Sequence, residues 1–389
     1  MSRSQCHASL VPVSTTSLNP ILALARAKLL SQAGQSPEAA DILVSLLAPD
    51  ADESALGTWL DHLQDTGSDA VLRETAERLR SRHQGAPAYA ALAKRLELLG
   101  TAAYEACDHA RASCGLECHR ALVRLDRQAD ERILQALLWC ARELRDYDKR
   151  RRYLSAWLAY RRLAIVAEPG AAGSIEIDAS TSDPADGAAV LAQHGTVVLR
   201  RLIDPAAYPA LVTAFEAANP KEVIALRIGG TPIMEAAAAL VPDYLMRLLR
   251  HLMGQEPSLL PQYSFMRGIK LGEHRMVPFH QDINNFEAEM VNCWVPLTPC
   301  LDNAPRLEVV AARLDELVET TMDTGDFSWI EESLVRSRFP AAAIVAPPVD
   351  LGDAILLLGT TIHRSFATDD TVKKRFSVEL RFGAAGSPA

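Results

Sequence analysis

The stretch VPFHQDINNF, residues 277–286, sets His280 and Asp282 one residue apart behind an apolar lead-in. At strand spacing both side chains leave the backbone on the same face, as two ligands of one metal would have to. A His-x-Asp triplet also occurs where nothing binds, so the rest of the chain has to supply partners.

A third ligand is available in GDAILLLGTTIHRSFATDD, where an apolar run leads from a Gly-Asp turn into His363. Ten residues further on, KKRFSVELRF begins and alternates: Phe376, Val378, Leu380 and Phe382 take one face, and Arg375, Ser377, Glu379 and Arg381 the other. Such a polar stripe on an apolar strand is either a solvent face or the lining of a polar cavity. Two histidines and one carboxylate on one side of an iron(II) leave neighbouring coordination positions open, as non-haem iron oxygenases require. A 2-oxo acid chelates through two of them and O2 takes the third. An arginine with a nearby hydroxyl then anchors the distal carboxylate through a fork that lysine cannot reproduce. Each member of this ordered set has a separate chemical job, which makes the set far more specific than any one motif.

The chain from HGTVVLRRLI to its last strand resembles the phytanoyl-CoA dioxygenase family of iron(II)/2-oxoglutarate-dependent oxygenases. The matching pieces come in the family's order: FMRG, PFHQD, NCWVPLTPCLDNAPRLEVV, GDAILLLGTTIHR and RFSVELRF. The resemblance implies a double-stranded β-helix, or jelly roll, with His280, Asp282 and His363 as iron ligands and Arg375 with Ser377 binding 2-oxoglutarate. It also implies Trp294 as an aromatic neighbour of the cosubstrate. Arg267, Gln281, Asn284 and Arg381 are further candidates, for contact with the substrate. The chain departs from the family where AARLDEL follows the LEVV strand and where Arg306 stands in place of a frequent glycine. Both departures bear on the substrate rather than on iron. The implied reaction oxidises 2-oxoglutarate to succinate and CO2 and hydroxylates an aliphatic carbon of a small metabolite, amino acid or natural-product intermediate, free or carrier-bound. An aspartate among the ligands, where related halogenases have a small residue, argues for hydroxylation. Desaturation, cyclisation, a peptide substrate and a non-catalytic scaffold with a degenerate oxygenase domain stay open.

The wider composition agrees with a folded enzyme. Of 389 residues, 49% are hydrophobic and 23% charged, which is ordinary for a globular protein. With 40 basic against 49 acidic residues the net charge is −9, which argues against nucleic acid or an anionic membrane as the main partner. No apolar run approaches the roughly 20 residues needed to cross a bilayer, and the first residues carry no apolar signal core, so the expected location is cytoplasmic. Seven cysteines without a CxxC pair are expected as reduced thiols.

A composition break divides the chain. Up to residue 166 it is rich in Ala, Leu, Arg and Glu with helical periodicity; beyond residue 187 short β-branched runs appear. The expected organisation is therefore α+β: a disordered start over 1–16, an all-α domain over 17–166, a linker over 167–187 and a jelly roll with flanking helices over 188–389. Gly34, Gly67 and Gly100 recur every 33 residues, close to the period of tetratricopeptide-like helix pairs. Such a domain is suited to dimerisation or protein docking, with the basic helix 149–162 as a contact for an acidic group. Cys107, Cys114 and Cys118 crowd together with His109 and His119, but the spacing matches no usual zinc pattern, and i, i+4 thiols suit a buried helix face.

Overall fold

The computed structural model describes residues 20–47, 52–66, 69–83, 87–170, 173–218, 225–269, 276–301, 304–320, 322–323, 328–368, 371 and 373–385. The expected disordered start, 1–16, lies outside these residues. The chain divides into two compact units, Met1–Tyr153 and Leu154–Ala389.

The first unit is helical: α1 (Pro20–Gln32), α2 (Ser36–Leu46), α3 (Glu53–Asp65), α4 (Asp69–His83), α5 (Pro87–Glu105), α6 (His109–Leu122), α7 (Arg127–Glu143) and the start of α8 (Tyr147–Arg161). Asp52, Asp108 and Asp126 each accept a hydrogen bond from the backbone N–H three residues on, which starts α3, α6 and α7. Consecutive helices α1 and α2, and α5 and α6, pack as hairpins, while α2, α4 and α6 stack in turn. Their apolar faces meet in a core that includes Leu43, Leu60, Leu79, Leu92 and Leu96. The 33-residue glycine spacing does not mark equivalent positions. Gly34 closes α1 with φ +76, whereas Gly100 lies inside α5, where a Cβ would come within 3.0 Å of Leu116. Gly100 serves close approach of α5 and α6, and Gly67 falls outside the described residues. Cys114 and Cys118 are buried in the same core, and Cys107 is exposed.

The second unit is a jelly roll with helices on one face. Its larger sheet runs β1 (Glu176–Asp178), β2 (Thr196–Arg200), β12 (Ala354–Leu358), β7 (Val291–Pro296), β14 (Arg375–Ala384), β5 (Phe265–Ile269) and β3 (Ala225–Arg227), with β4 (Pro257–Leu259) also paired to β14. The smaller sheet runs β11 (Ile344–Val345), β8 (Arg306–Val310), β13 (Ile362–Phe366) and β6 (His280–Gln281). A ribbon joins β9 (Met322–Asp323) to β10 (Ser328–Trp329). Pairings are antiparallel except β1 with β2. The segment 167–187, expected as a linker, thus contains β1 and the start of α9 (Pro184–His194).

Both faces of the larger sheet are buried, for different purposes. Outward, Val197, Val295, Leu356, Val378 and Leu380 pack with α9, α10 (Tyr208–Ala218), α11 (Pro232–Ala238) and α12 (Asp243–Met253) in the main core. Inward, Val198, Trp294, Ile355 and Leu357 meet Leu307 and Val309 of the smaller sheet. The polar stripe of β14 points inward and is buried throughout, so it is a cavity lining rather than a solvent face. That arrangement brings β14 opposite β6 and β13. A short helix, α13 (Asp282–Phe286), follows β6, and α14 (Glu332–Arg338) lies further along the chain.

Candidate metal centre

Three side chains converge between the sheets. His280 opens the smaller sheet's edge strand, Asp282 opens α13, and His363 sits on β13 directly opposite His280 in the register. One donor atom from each lies within 4.8 Å of the other two. Asp282 Oδ1 is 3.5 Å from His280 Nε2 and 3.9 Å from His363 Nε2. Each imidazole is turned by its other nitrogen: His280 Nδ1 lies 2.9 Å from the Pro278 carbonyl and His363 Nδ1 3.1 Å from the Thr361 carbonyl. A carbonyl only accepts, so each Nδ1 carries the proton and each Nε2 lone pair faces the centre. Burial, helped by neighbouring His280, pulls His363 down to about 4, which keeps it an unprotonated donor at neutral pH.

Asp282 is held at its second oxygen. Oδ2 accepts from Arg381 Nη2 at 3.0 Å and from Asn292 Nδ2 at 3.1 Å, which leaves Oδ1 for the centre. Burial pushes this carboxyl up, but the Arg381 charge pulls it down, and Asp282 is held well below the usual carboxylate range. Arg381 is itself fully enclosed. It donates to Glu379 Oε2 at 3.0 Å and to the Tyr263 carbonyl at 2.8 Å, with its guanidinium 4.3 Å from the rings of Phe265 and Phe286.

The other end of β14 is different. Arg375 is 1% exposed, yet its contacts are long ones, to the Arg306 carbonyl at 3.3 Å and the Ser365 hydroxyl at 3.4 Å. Its Nε has no partner, and among the described residues no carboxylate pairs with it. Burial without a partner lowers its pKa to about 10. Ser377 Oγ and Trp294 Nε1 are likewise buried without hydrogen bonds, and Trp294 lies under the Arg375 guanidinium at 5.4 Å. Three neighbouring donors without acceptors fit a missing carboxylate.

Of the four residues expected to contact a substrate, one lies on the cavity wall in a position to do so. Arg267 lines the same cavity as His280, His363, Asn292, Trp294 and Arg375. Gln281 and Asn284 do not. Gln281 alternates away from His280 and binds the Glu316 and Thr360 carbonyls and the Val318 N–H, while Asn284 reaches back to Gln281. Arg381 is spent on Asp282 and Glu379 rather than on a substrate. The residues that were not anticipated are Asn292, Glu379 and Trp329, whose ring meets His280 edge-on at 5.6 Å. Asn292 stands two residues before Trp294 and opposite Arg381, so strand alternation alone carried a signal for it.

A jelly roll with two histidines and a carboxylate on its inner wall is the architecture of the non-haem iron oxygenases, and the donor set suits iron(II). Residues 191–374, a little under half of the chain, match the phytanoyl-CoA dioxygenase (PhyH) family model. Among solved structures, AviO1 from Streptomyces viridochromogenes Tue57 is similar at 15% identity over 54% of this chain and 98% of its own, with a TM-score of 0.42. EctD from S. alaskensis is similar at 18% identity over 58% of this chain and 84% of its own, with a TM-score of 0.42. The 2-oxoglutarate-dependent epimerase SnoN from nogalamycin biosynthesis follows at 17% identity over 51% and 79%, with a TM-score of 0.38. No curated protein matches the chain. Among the described residues no helix is long and apolar enough to cross a membrane.

Proposed function

We propose that His280, Asp282 and His363 bind iron(II), that Arg375 and Ser377 bind 2-oxoglutarate beside Trp294, and that the protein hydroxylates an aliphatic carbon of a small-molecule substrate. The observation that carries this reading is the pairing of two complementary vacancies in bonding. Three donors within 4.8 Å offer lone pairs to a cation, and 1%-exposed Arg375 offers a charge to an anion. An uncompensated buried charge costs several kcal/mol, so the second vacancy is hard to explain without a ligand.

The iron would supply oxygen activation coupled to decarboxylation of 2-oxoglutarate to succinate and CO2. The protein's part is positioning. Pro278 and Thr361 aim the imidazoles, Arg381 and Asn292 restrict Asp282 to one free oxygen, and the Trp294, Leu307 and Val309 wall keeps the centre dry. Hydroxylation is the reading favoured by a carboxylate in the ligand set. Desaturation or ring closure would begin with the same hydrogen abstraction and would be distinguished by product mass.

The test is spectroscopic first. Anaerobic addition of iron(II) and 2-oxoglutarate should give a visible charge-transfer band that neither gives alone. No such band, together with no succinate formed in air, would refute the proposal.

A further inference from the structure

Arg267 lies on β5 directly across from Ser377. Its guanidinium is held on one edge and open on the other. Nε donates to Glu379 Oε1 at 3.0 Å, the plane lies 4.9 Å from the Phe265 ring, and the side chain is 14% exposed. Its two Nη groups have no hydrogen-bond partner among the described residues, and the residue lines the cavity that holds the two histidines. Glu379 spends its other oxygen on Arg381, which binds Asp282. The hydrogen-bonded series Asp282, Arg381, Glu379, Arg267 therefore runs from the metal centre to an immobilised fork at the cavity wall.

The charges do not balance. Arg267, Arg375 and Arg381 contribute three positive charges and Asp282 and Glu379 two negative ones, which leaves one positive charge in and around the cavity. Iron(II) and the 2-oxoglutarate dianion would cancel each other, so the loaded site would still lack one anion. Arg375 would by then be engaged, and Arg381 already is. The open fork is Arg267.

Resting on the iron and 2-oxoglutarate reading above, we propose that Arg267 binds an anionic group, a carboxylate in the simplest case, on the substrate to be oxidised. The apolar wall formed by Val277 and Leu307 would take the aliphatic part of such a molecule. A fork with its Nε pinned keeps two parallel Nη donors in a plane, the geometry that a carboxylate accepts.

The probes are hexanoate and hexanamide, which match in shape and differ in charge. The whole protein is loaded with manganese(II) in place of iron and kept saturated with 2-oxoglutarate, so that Arg375 is occupied. Proton relaxation of each probe by the paramagnetic ion then reports binding near the metal. Hexanoate should bind about tenfold more tightly than hexanamide, the size of one charge-assisted contact, and Arg267→Gln should abolish that preference. The affinity of Arg267→Gln for 2-oxoglutarate, read from the iron charge-transfer band, should stay within about twofold of the parent. Equal behaviour of the two probes in the parent protein, or a preference that survives in Arg267→Gln, overturns the proposal. So does a loss of 2-oxoglutarate affinity in Arg267→Gln, which would make Arg267 a cosubstrate ligand. Absence of the band in the parent protein would overturn the underlying reading instead, and is seen without either probe.

Discussion

Arg375 and Arg381 lie six residues apart on the same face of one strand, and both are sealed from solvent. Arg381 is paired: two carboxylates, one backbone carbonyl and two aromatic rings surround it. Arg375 has no carboxylate, only the Arg306 carbonyl and the Ser365 hydroxyl at 3.3 and 3.4 Å. A buried guanidinium paired with carboxylates belongs to the folded protein, whereas one left short of an anion is suited to a ligand. On the proposed function, one strand therefore carries a structural arginine at the metal end and a binding arginine at the other.

The largest effect expected is at the metal end. His280→Ala removes a lone pair that nothing nearby replaces, so 2-oxoglutarate turnover should fall by about a thousandfold or more with the fold retained. Succinate formation at the parent rate would take His280 out of the reaction.

Substituting the two arginines separates them directly. Arg381→Met leaves Asp282 and Glu379 buried without their shared cation and should destabilise the metal-free protein by about 3–5 kcal/mol in urea unfolding. Arg375→Met removes a charge already unpaired, so the metal-free protein should hold its stability or gain on the order of 1 kcal/mol while losing 2-oxoglutarate binding. Equal destabilisation by both would erase the contrast. A gentler change, Arg375→Lys, keeps the charge but loses the fork, and should weaken 2-oxoglutarate by about ten- to a hundredfold, the worth of one charge-assisted hydrogen bond. An unchanged Michaelis constant for 2-oxoglutarate would remove Arg375 from the cosubstrate site.

Alternation made one half of this contrast legible in the sequence. The period-two pattern of RFSVELRF put Arg375, Ser377, Glu379 and Arg381 on one face, and the family resemblance singled out Arg375. What alternation cannot say is which carboxylate meets which arginine, because Asp282 lies 99 residues from Arg381 and only closure of the two sheets brings them together. Gln281 and Asn284 face elsewhere for a local reason: β6 ends at Gln281 and α13 begins at Asp282, so the Gln281 side chain turns to the loop at 316–318 and Asn284 reaches Gln281. In 167–187 the alternation of Ile175, Glu176, Ile177 and Asp178 is too short to stand out among the surrounding Gly, Ser and Pro, and pairing with β2 makes Glu176–Asp178 into β1. The glycine spacing records neither backbone angle nor neighbour, and Gly34 and Gly100 differ in both.

A third buried charge in the second unit extends the contrast with the smallest expected effect. The Glu289 carboxylate lies under Leu163, whose N–H it accepts, with Arg162 3.9 Å away. Unlike Asp282, it has no close, buried arginine. Burial therefore prevails over the Leu163 N–H and the Arg162 charge, and pushes Glu289 up to about 7 from an ordinary 4.5. The folded state then binds the proton more tightly than the unfolded chain does. Its contribution to stability is most favourable below about pH 4.5 and declines as pH rises to about 7, beyond which it is constant. Over that window the decline is on the order of 2 kcal/mol, allowing for partial solvation. Glu289→Gln keeps an oxygen for the Leu163 N–H and removes the titration. Urea unfolding at pH 5.5 and 8 should show the parent losing stability relative to the variant as pH rises, with the variant the more stable at pH 8. Parallel pH dependence in the two proteins would mean that Glu289 is charged in the folded state after all, and that Arg162 serves it as Arg381 serves Asp282.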